Sequence, residues 1–102
     1  MNDYISNPIL IDSPMTESWK MEVANSLGSP LTLQIVKVEY YKPVTIGDTV
    51  TIVNASNGQN LLDFTCEVAL QSQIVDFTAK PLLWSDFSVT RIDSGILKIW
   101  YA

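Results

Sequence analysis

The stretch FSVTRIDSGILKIWY, residues 87–101, decides the fold that this sequence predicts. Residues 87–92 and 96–101 are two short runs rich in β-branched and aromatic residues, and Asp93-Ser94-Gly95 separates them. Such runs are typical of β-strands, and Asp and Gly are residues that tight turns favour. The C-terminal part of the chain is therefore predicted to be two strands joined by a turn, in which the serine has no specific role.

Short strands and turn residues continue upstream. Further period-two runs lie at residues 18–23, 31–41, 49–53, 61–68 and 74–79, and Ile9-Leu10-Ile11 adds an eighth strand if it pairs. Turns are predicted at residues 25–30 and at residues 54–59, where Asn57-Gly58 favours a hairpin, and residues 81–86 are a crossover. Seven to eight strands at this spacing predict an all-β chain, a single antiparallel β-sandwich, either plain or jelly-roll-like.

Three of these runs carry finer expectations. The apolar parity of residues 31–41 switches from Leu33 and Ile35 to Val38 and Tyr40, which indicates a β-bulge. The run 61–68 alternates cleanly and predicts four inward side chains, namely Leu62, Phe64, Cys66 and Val68. The run 18–23 places Trp19, Met21 and Val23 on one face of a strand.

The sequence divides into an arm and a domain. Residues 1–15, with Pro8 and Pro14, are interpreted as an extended N-terminal arm, and residues 16–102 as the β-sandwich domain. An arm of this kind can add a strand to a neighbouring subunit. Its apolar run, Ile9-Leu10-Ile11, is therefore a candidate partner-binding segment.

Composition narrows the classes of function. The chain of 102 residues is 47% apolar and 17% charged, with a net charge of −5, one cysteine and no histidine. The acidic balance argues against nucleic-acid binding, and the missing histidine removes Ser-His and Cys-His catalysis. No signal peptide or membrane span is recognised, so a soluble protein made in the cytoplasm, without cofactor or bound metal, is expected. The low charge favours an assembly subunit.

Asp93-Ser94-Gly95 also matches the active-site signature of aspartic proteases. Such a site pairs two carboxylates in a cleft covered by a flap, and only seven residues follow Gly95 here. A strand–strand turn is the preferred interpretation, with glycine supplying positive φ. Asp63 and Glu67 are too far apart along one strand for a glycosidase pair, and no loop has the carboxylate density of a calcium site. The chain is not expected to be an enzyme.

Aromatic residues give two further hypotheses. Adjacent residues on a strand point to opposite faces, so one of Trp100 and Tyr101 faces outward, as does one of Tyr40 and Tyr41. Outward aromatics are typical of protein interfaces. The alternative is a carbohydrate-binding or host-recognition module of a virion or tail, using Trp84 or Trp100.

The order of these elements resembles small virion proteins of tailed bacteriophages. The resemblance covers roughly residues 31–102 and comprises Val38-Glu39-Tyr40-Tyr41, Gly47-Asp48-Thr49-Val50, Asn57-Gly58, Pro81-Leu82-Leu83-Trp84 and the segment from Ile92 to Tyr101. Lys98 and Trp100 depart from the Tyr-rich final strand that is more usual there. The resemblance implies a structural protein of the virion that decorates or cements the capsid, or sits on the tail.

The expected function is therefore capsid decoration through contacts with the major capsid protein or another virion protein. A homo-oligomer, a trimer, is expected, located in the virion. The candidate partner-binding residues are Ile9, Leu10, Ile11, Tyr41, Trp84, Trp100 and Tyr101.

Overall fold

The structure, a computed structural model, describes residues 2–27 and 32–102. This part of the chain contains one helix, α1, and eight strands, β1 to β8. Their bounds are β1 Ile9–Ile11, α1 Trp19–Leu27, β2 Leu33–Tyr41, β3 Thr49–Asn54, β4 Asn60–Thr65, β5 Gln73–Asp76, β6 Leu82–Trp84, β7 Phe87–Ile92 and β8 Ile96–Tyr101.

The strands form two antiparallel sheets, which confirms the predicted all-β sandwich. The larger sheet has the order β1-β8-β2, with β5 and β6 both paired to the other edge of β2. The smaller sheet has the order β4-β3-β7. This is the strand order of a jelly roll in which α1, packed beside β7, stands where one strand of the smaller sheet would lie.

The hydrophobic core fills the space between the sheets. Its fully buried members come from both sheets, and the largest are Tyr40, Phe87, Ile9, Ile11, Ile35, Ile52, Leu97 and Ile99. Each such side chain contributes roughly 1.5–3 kcal/mol through removal from water. Trp19 stacks on Phe87 with ring centroids 6.1 Å apart, and Trp84 packs against the same ring at 5.3 Å. The core thus ends in an aromatic cluster beside α1.

The strand predicted over residues 18–23 is wrong, because this segment is the start of α1. Ser18 caps the helix: its Oγ accepts the Met21 amide at 3.4 Å, and Asp86 Oδ1 accepts the Lys20 amide at 2.9 Å. Trp19 and Val23, four residues apart, are buried, whereas Met21 is 63% exposed. Spacing of i and i+4 is the helical period, which a six-residue run does not separate from alternation. The predicted turn over residues 25–30 begins inside α1, and residues 28–31 lie outside the described residues.

Most other strand predictions are confirmed. The predicted bulge is present as a register shift between Ile35 and Lys37 where β2 pairs with β8. The 54–59 hairpin has Gly58 at φ +72°, and β7 and β8 have the predicted bounds. The run 61–68 is corrected: β4 ends at Thr65, and Val68 is 55% exposed, since the chain there has left the sheet. An added strand, β6, lies in the predicted crossover.

The segment before Thr16 packs onto the chain's own sandwich. β1 pairs with β8, matching Ile9 with Ile99 and Ile11 with Leu97, and Ile9 and Ile11 have no exposed surface. Asn7 exchanges hydrogen bonds with the Tyr101 backbone, and the Met15 amide donates to the Val89 carbonyl at 2.8 Å. Ile9 and Ile11 are therefore core residues, which corrects their assignment to partner binding.

The β7–β8 turn passes very close to the end of β2. Gly95 has φ +71°, a left-handed conformation that favours glycine. A Cβ added at Gly95 would lie 2.7 Å from the Tyr41 carbonyl oxygen and 3.1 Å from two backbone atoms of Pro43. Both the conformation and the space therefore require glycine at this position.

We expect Gly95→Ala to lower the free energy of unfolding by about 3 kcal/mol, from left-handed strain plus backbone displacement. Gly58→Ala is the matched control, because Gly58 has nearly the same φ and nothing within 4 Å of an added Cβ. It should cost about 1 kcal/mol. Urea denaturation of both variants measures the difference; equal losses would contradict the close approach.

Candidate functional site

The Asp93-Ser94-Gly95 turn connects β7 in one sheet with β8 in the other. Asp93 Oδ2 accepts the Thr49 amide at 2.8 Å, and Arg91 Nη2 lies 2.9 Å from the same oxygen. The hydrogen bond from Arg91, then that from Thr49, holds the pKa of Asp93 below its ordinary value. Asp93 is thus an ionised residue that fastens the start of β3 to the turn.

Ser94 does more in this turn than predicted. Its Oγ accepts the Val44 amide at 2.8 Å and donates to Asp48 Oδ2, and the same Asp48 oxygen accepts the Thr45 amide at 3.2 Å. Ser94 therefore ties the β2–β3 loop to the β7–β8 turn. The expectation that the serine has no specific role is wrong, because this contact joins residues fifty positions apart in the chain.

Tyr40 lies behind this turn with its ring wholly in the core. Its hydroxyl is buried and makes no hydrogen bond to the described residues. Burial raises the pKa of Tyr40, the nearby Ser94 hydroxyl opposes this shift, and the charges of Asp48 and Asp93 add to it. The phenol therefore stays protonated and acts as part of the core.

Two loops at this end of the sandwich expose apolar side chains. Val44 and Ile46 lie on the β2–β3 loop and are 57% and 68% exposed, and Val68 and Leu70 lie on the β4–β5 loop and are 55% and 62% exposed. We call these four residues the loop patch. Isolated exposed apolar residues are ordinary, whereas a contiguous group indicates an interaction surface.

Hydrogen bonds hold the two loops of the patch together. The Leu70 amide donates to the Pro43 carbonyl at 2.7 Å, and the Gly47 amide donates to the Cys66 carbonyl at 2.9 Å. Cys66 lies buried beneath the loops, as predicted for a small hydrophobic residue, and its thiol contacts the Val68 carbonyl at 3.4 Å. The loop patch is therefore presented on an ordered backbone.

A second surface lies on the outer side of the larger sheet. Trp100 on β8 pairs across from Lys37 on β2, and Lys37 Nζ lies 4.1 Å from the centre of the Trp100 ring. Lys98 Nζ lies 3.9 Å, and Lys42 Nζ 5.4 Å, from the centre of the Tyr41 ring. We call these five residues the sheet face. Such cation–π contacts are worth about 0.5–1 kcal/mol each at exposed sites and hold the lysines in place.

The structure separates the predicted partner-binding residues into two groups. Tyr41 and Trp100 lie on the sheet face, and Leu10, which pairs across from Lys98, lies beside it. Trp84 is only 4% exposed and is corrected to the core, because β6 turns its ring onto Phe87. Tyr101 packs against the core and donates its hydroxyl to the Ile5 carbonyl at 3.0 Å, since it shares the inward parity of Leu97 and Ile99.

These positions bear on the carbohydrate alternative. A sugar platform needs an open aromatic face, whereas the Trp84 ring is buried and Lys37 lies over the Trp100 ring. The two tryptophans named for that alternative thus form no shared platform.

Sequence reasoning missed the loop patch. A signal was available at Pro43-Val44-Thr45-Ile46-Gly47, where two apolar residues stand in a segment bounded by turn residues. No strand is available there to bury them. Val68 gave no such signal, because it was assigned to the strand predicted over residues 61–68.

Comparison with known proteins finds no matching family model, curated protein or solved structure. Within residues 2–27 and 32–102, no helix is long and apolar enough to cross a membrane. The same residues contain no group of three or more His, Cys, Asp or Glu side chains arranged to hold a metal ion. The loop patch and the sheet face are therefore the candidate functional sites of this protein.

The pairing of Asp93 predicts an acid-dependent stability. Because folding lowers its pKa, Asp93 stabilises the fold above the ordinary aspartate value of about 3.9, and this contribution is lost as the pH falls through the lower folded value. We expect Asp93→Asn to be mildly destabilising at neutral pH and to converge on the wild type in acid. Denaturation across pH measures this, with Arg91→Gln expected to reduce the same pH-dependent difference. Parallel pH profiles for wild type and Asp93→Asn would refute the assignment.

Proposed function

We propose that this protein is a structural subunit of a bacteriophage virion that decorates or cements the capsid shell. It binds the major capsid protein or another virion protein through the loop patch. The observation that carries the proposal is the group of four exposed apolar side chains on two hydrogen-bonded loops.

The two loops of the patch are conformationally ordered, and this favours binding of a protein partner. Flexible loops lose conformational freedom on binding, which opposes affinity. Here the β2–β3 loop is already held by Ser94 and Asp48, and the β4–β5 loop is held by Pro43. Burial of the patch therefore adds hydrophobic stabilisation with little ordering cost.

The surroundings of the patch fit a protein interface. Asp48 and Glu67 lie in the same two loops as the apolar residues and supply charge beside them. An apolar centre with a polar rim is the usual anatomy of such surfaces.

The virion assignment rests on the resemblance together with the composition. Jelly-roll sandwiches are used in many viral structural proteins, although one fold serves many functions. A chain with 17% charged residues and no histidine suits a subunit that covers apolar surface by assembly.

Charges placed in the loop patch should weaken attachment. We expect Ile46→Lys combined with Leu70→Lys to reduce binding to particles that lack the protein by about tenfold or more, since burying either apolar side chain is worth about 1.4 kcal/mol or more. Co-sedimentation of purified protein with such particles measures the bound fraction.

Leu83→Lys is the matched control, because Leu83 is 71% exposed and lies on β6, away from the patch. It should bind as the wild type does. The proposal fails if the protein is missing from purified virions, or if the double variant binds with unchanged affinity.

A further inference from the structure

Charge is unevenly distributed over this acidic protein. Three of the five lysines, Lys37, Lys42 and Lys98, lie on the sheet face, where Glu39 and Asp76 are the acidic residues paired across from them. The sheet face is therefore net positive, although the whole chain carries −5.

The three lysines are held in place by aromatic rings and make no direct ion pair with the described residues. Each ammonium lies over an aromatic ring of the sheet face. Among the described residues, none of the three lies within salt-bridge distance of a carboxylate. An ammonium over a ring keeps donors available on its other side, and its side chain has already lost much of its freedom. The three lysines are thus preorganised to bind carboxylates of another surface.

The opposite charge is concentrated in the N-terminal part of the same chain. Residues 2–22 contain one lysine and four acidic residues, Asp3, Asp12, Glu17 and Glu22. The Trp19 indole donates to the Tyr4 carbonyl at 3.2 Å, which joins the start of α1 to the segment before β1. Asp3 bridges Leu10 at the edge of the larger sheet. Glu17, Glu22 and the 63% exposed Met21 lie around the start of α1, and we call these three residues the acidic end.

The two surfaces occupy different parts of the sandwich. The sheet face is centred on β2 and β8, whereas α1 packs beside β7 of the other sheet. Both surfaces include exposed apolar side chains, since Ile74 pairs across from Glu39 at the sheet face and is 56% exposed. A contact between them in two copies joins unlike patches, and so it is head-to-tail.

We propose that the sheet face of one copy binds the acidic end of a second copy of this chain. The contact pairs Lys37 and Lys98 with carboxylates of the acidic end, and apolar side chains on both surfaces are buried beside these pairs. A head-to-tail contact of this kind closes into a ring or continues as a filament. The inference uses surfaces other than the loop patch, so it does not depend on the proposed function.

Charge exchange between two variants tests the contact directly. Sedimentation velocity should show concentration-dependent self-association of the wild type at about 0.1 M salt, where the Debye length is about 10 Å and long-range repulsion between the acidic copies is screened. At about 1 M salt, association should weaken by about tenfold. Lys37→Glu with Lys98→Glu, and separately Glu17→Lys with Glu22→Lys, should each be monomeric alone.

An equimolar mixture of the two double variants should associate again, because each then offers the charge that the other lacks. The milder pair Glu17→Gln with Glu22→Gln should weaken association without reversing charge, and it serves if the lysine variant fails to fold. A monomeric wild type at about 0.1 M salt, or a mixture that stays monomeric, overturns the proposal. The proposal would also be overturned if only the Ile46→Lys, Leu70→Lys double variant lost association. That result would show that the copies contact each other through the loop patch.

Discussion

One end of the sandwich carries the β2–β3 loop, the β4–β5 loop and the β7–β8 turn. Its backbone arrangement depends on the close approach of Gly95 to the backbone of Tyr41 and Pro43. Chain crossings between the sheets gather at this end, and the β7–β8 turn fits against β2 only because residue 95 has no Cβ. Asp93 and Ser94 then add directional bonds, to Thr49 on one side and to Val44 and Asp48 on the other. One tripeptide thereby fixes the relative positions of β2, β3, β7 and β8.

This constraint links fold to function. Loops that connect sheets are commonly the most mobile part of a sandwich, but here the β2–β3 loop is bonded to the turn and the β4–β5 loop is bonded to the β2–β3 loop. The apolar side chains of the loop patch are therefore exposed to solvent on a backbone that is held in place. The same tripeptide that matches a protease signature thus supports a surface suited to protein contacts.

The sequence predicted the parts of the fold that depend on local pattern. Phe87–Ile92, Ile96–Tyr101 and the bulge after Ile35 follow from alternation, which reports directly on which side chains face the core. Residues 18–23 failed because Trp19 and Val23 satisfy both a strand and a helix over so short a run. With Ile9-Leu10-Ile11 included, eight strands are predicted. The described residues also contain eight strands, because β6 makes up in number for this lost strand.

The surfaces were less accessible to sequence reasoning. Parity correctly separated Trp100 from Tyr101, but whether Trp84 faces inward depends on β6 pairing with β2, a contact between residues about fifty positions apart. The loop patch depends on the Leu70–Pro43 and Gly47–Cys66 bonds, and the lysines of the sheet face meet their rings only across strands. Such long-range pairings leave no local pattern.

Amide hydrogen exchange tests most directly the claim that the turn holds the loops in place. The amides of Val44, Gly47 and Leu70 donate to Ser94, Cys66 and Pro43, respectively. If these bonds persist in solution, the three amides exchange about a hundredfold or more slowly than in an unstructured peptide. Exchange of all three at the unstructured rate, while the amides of β2 and β8 remain protected, would contradict this account.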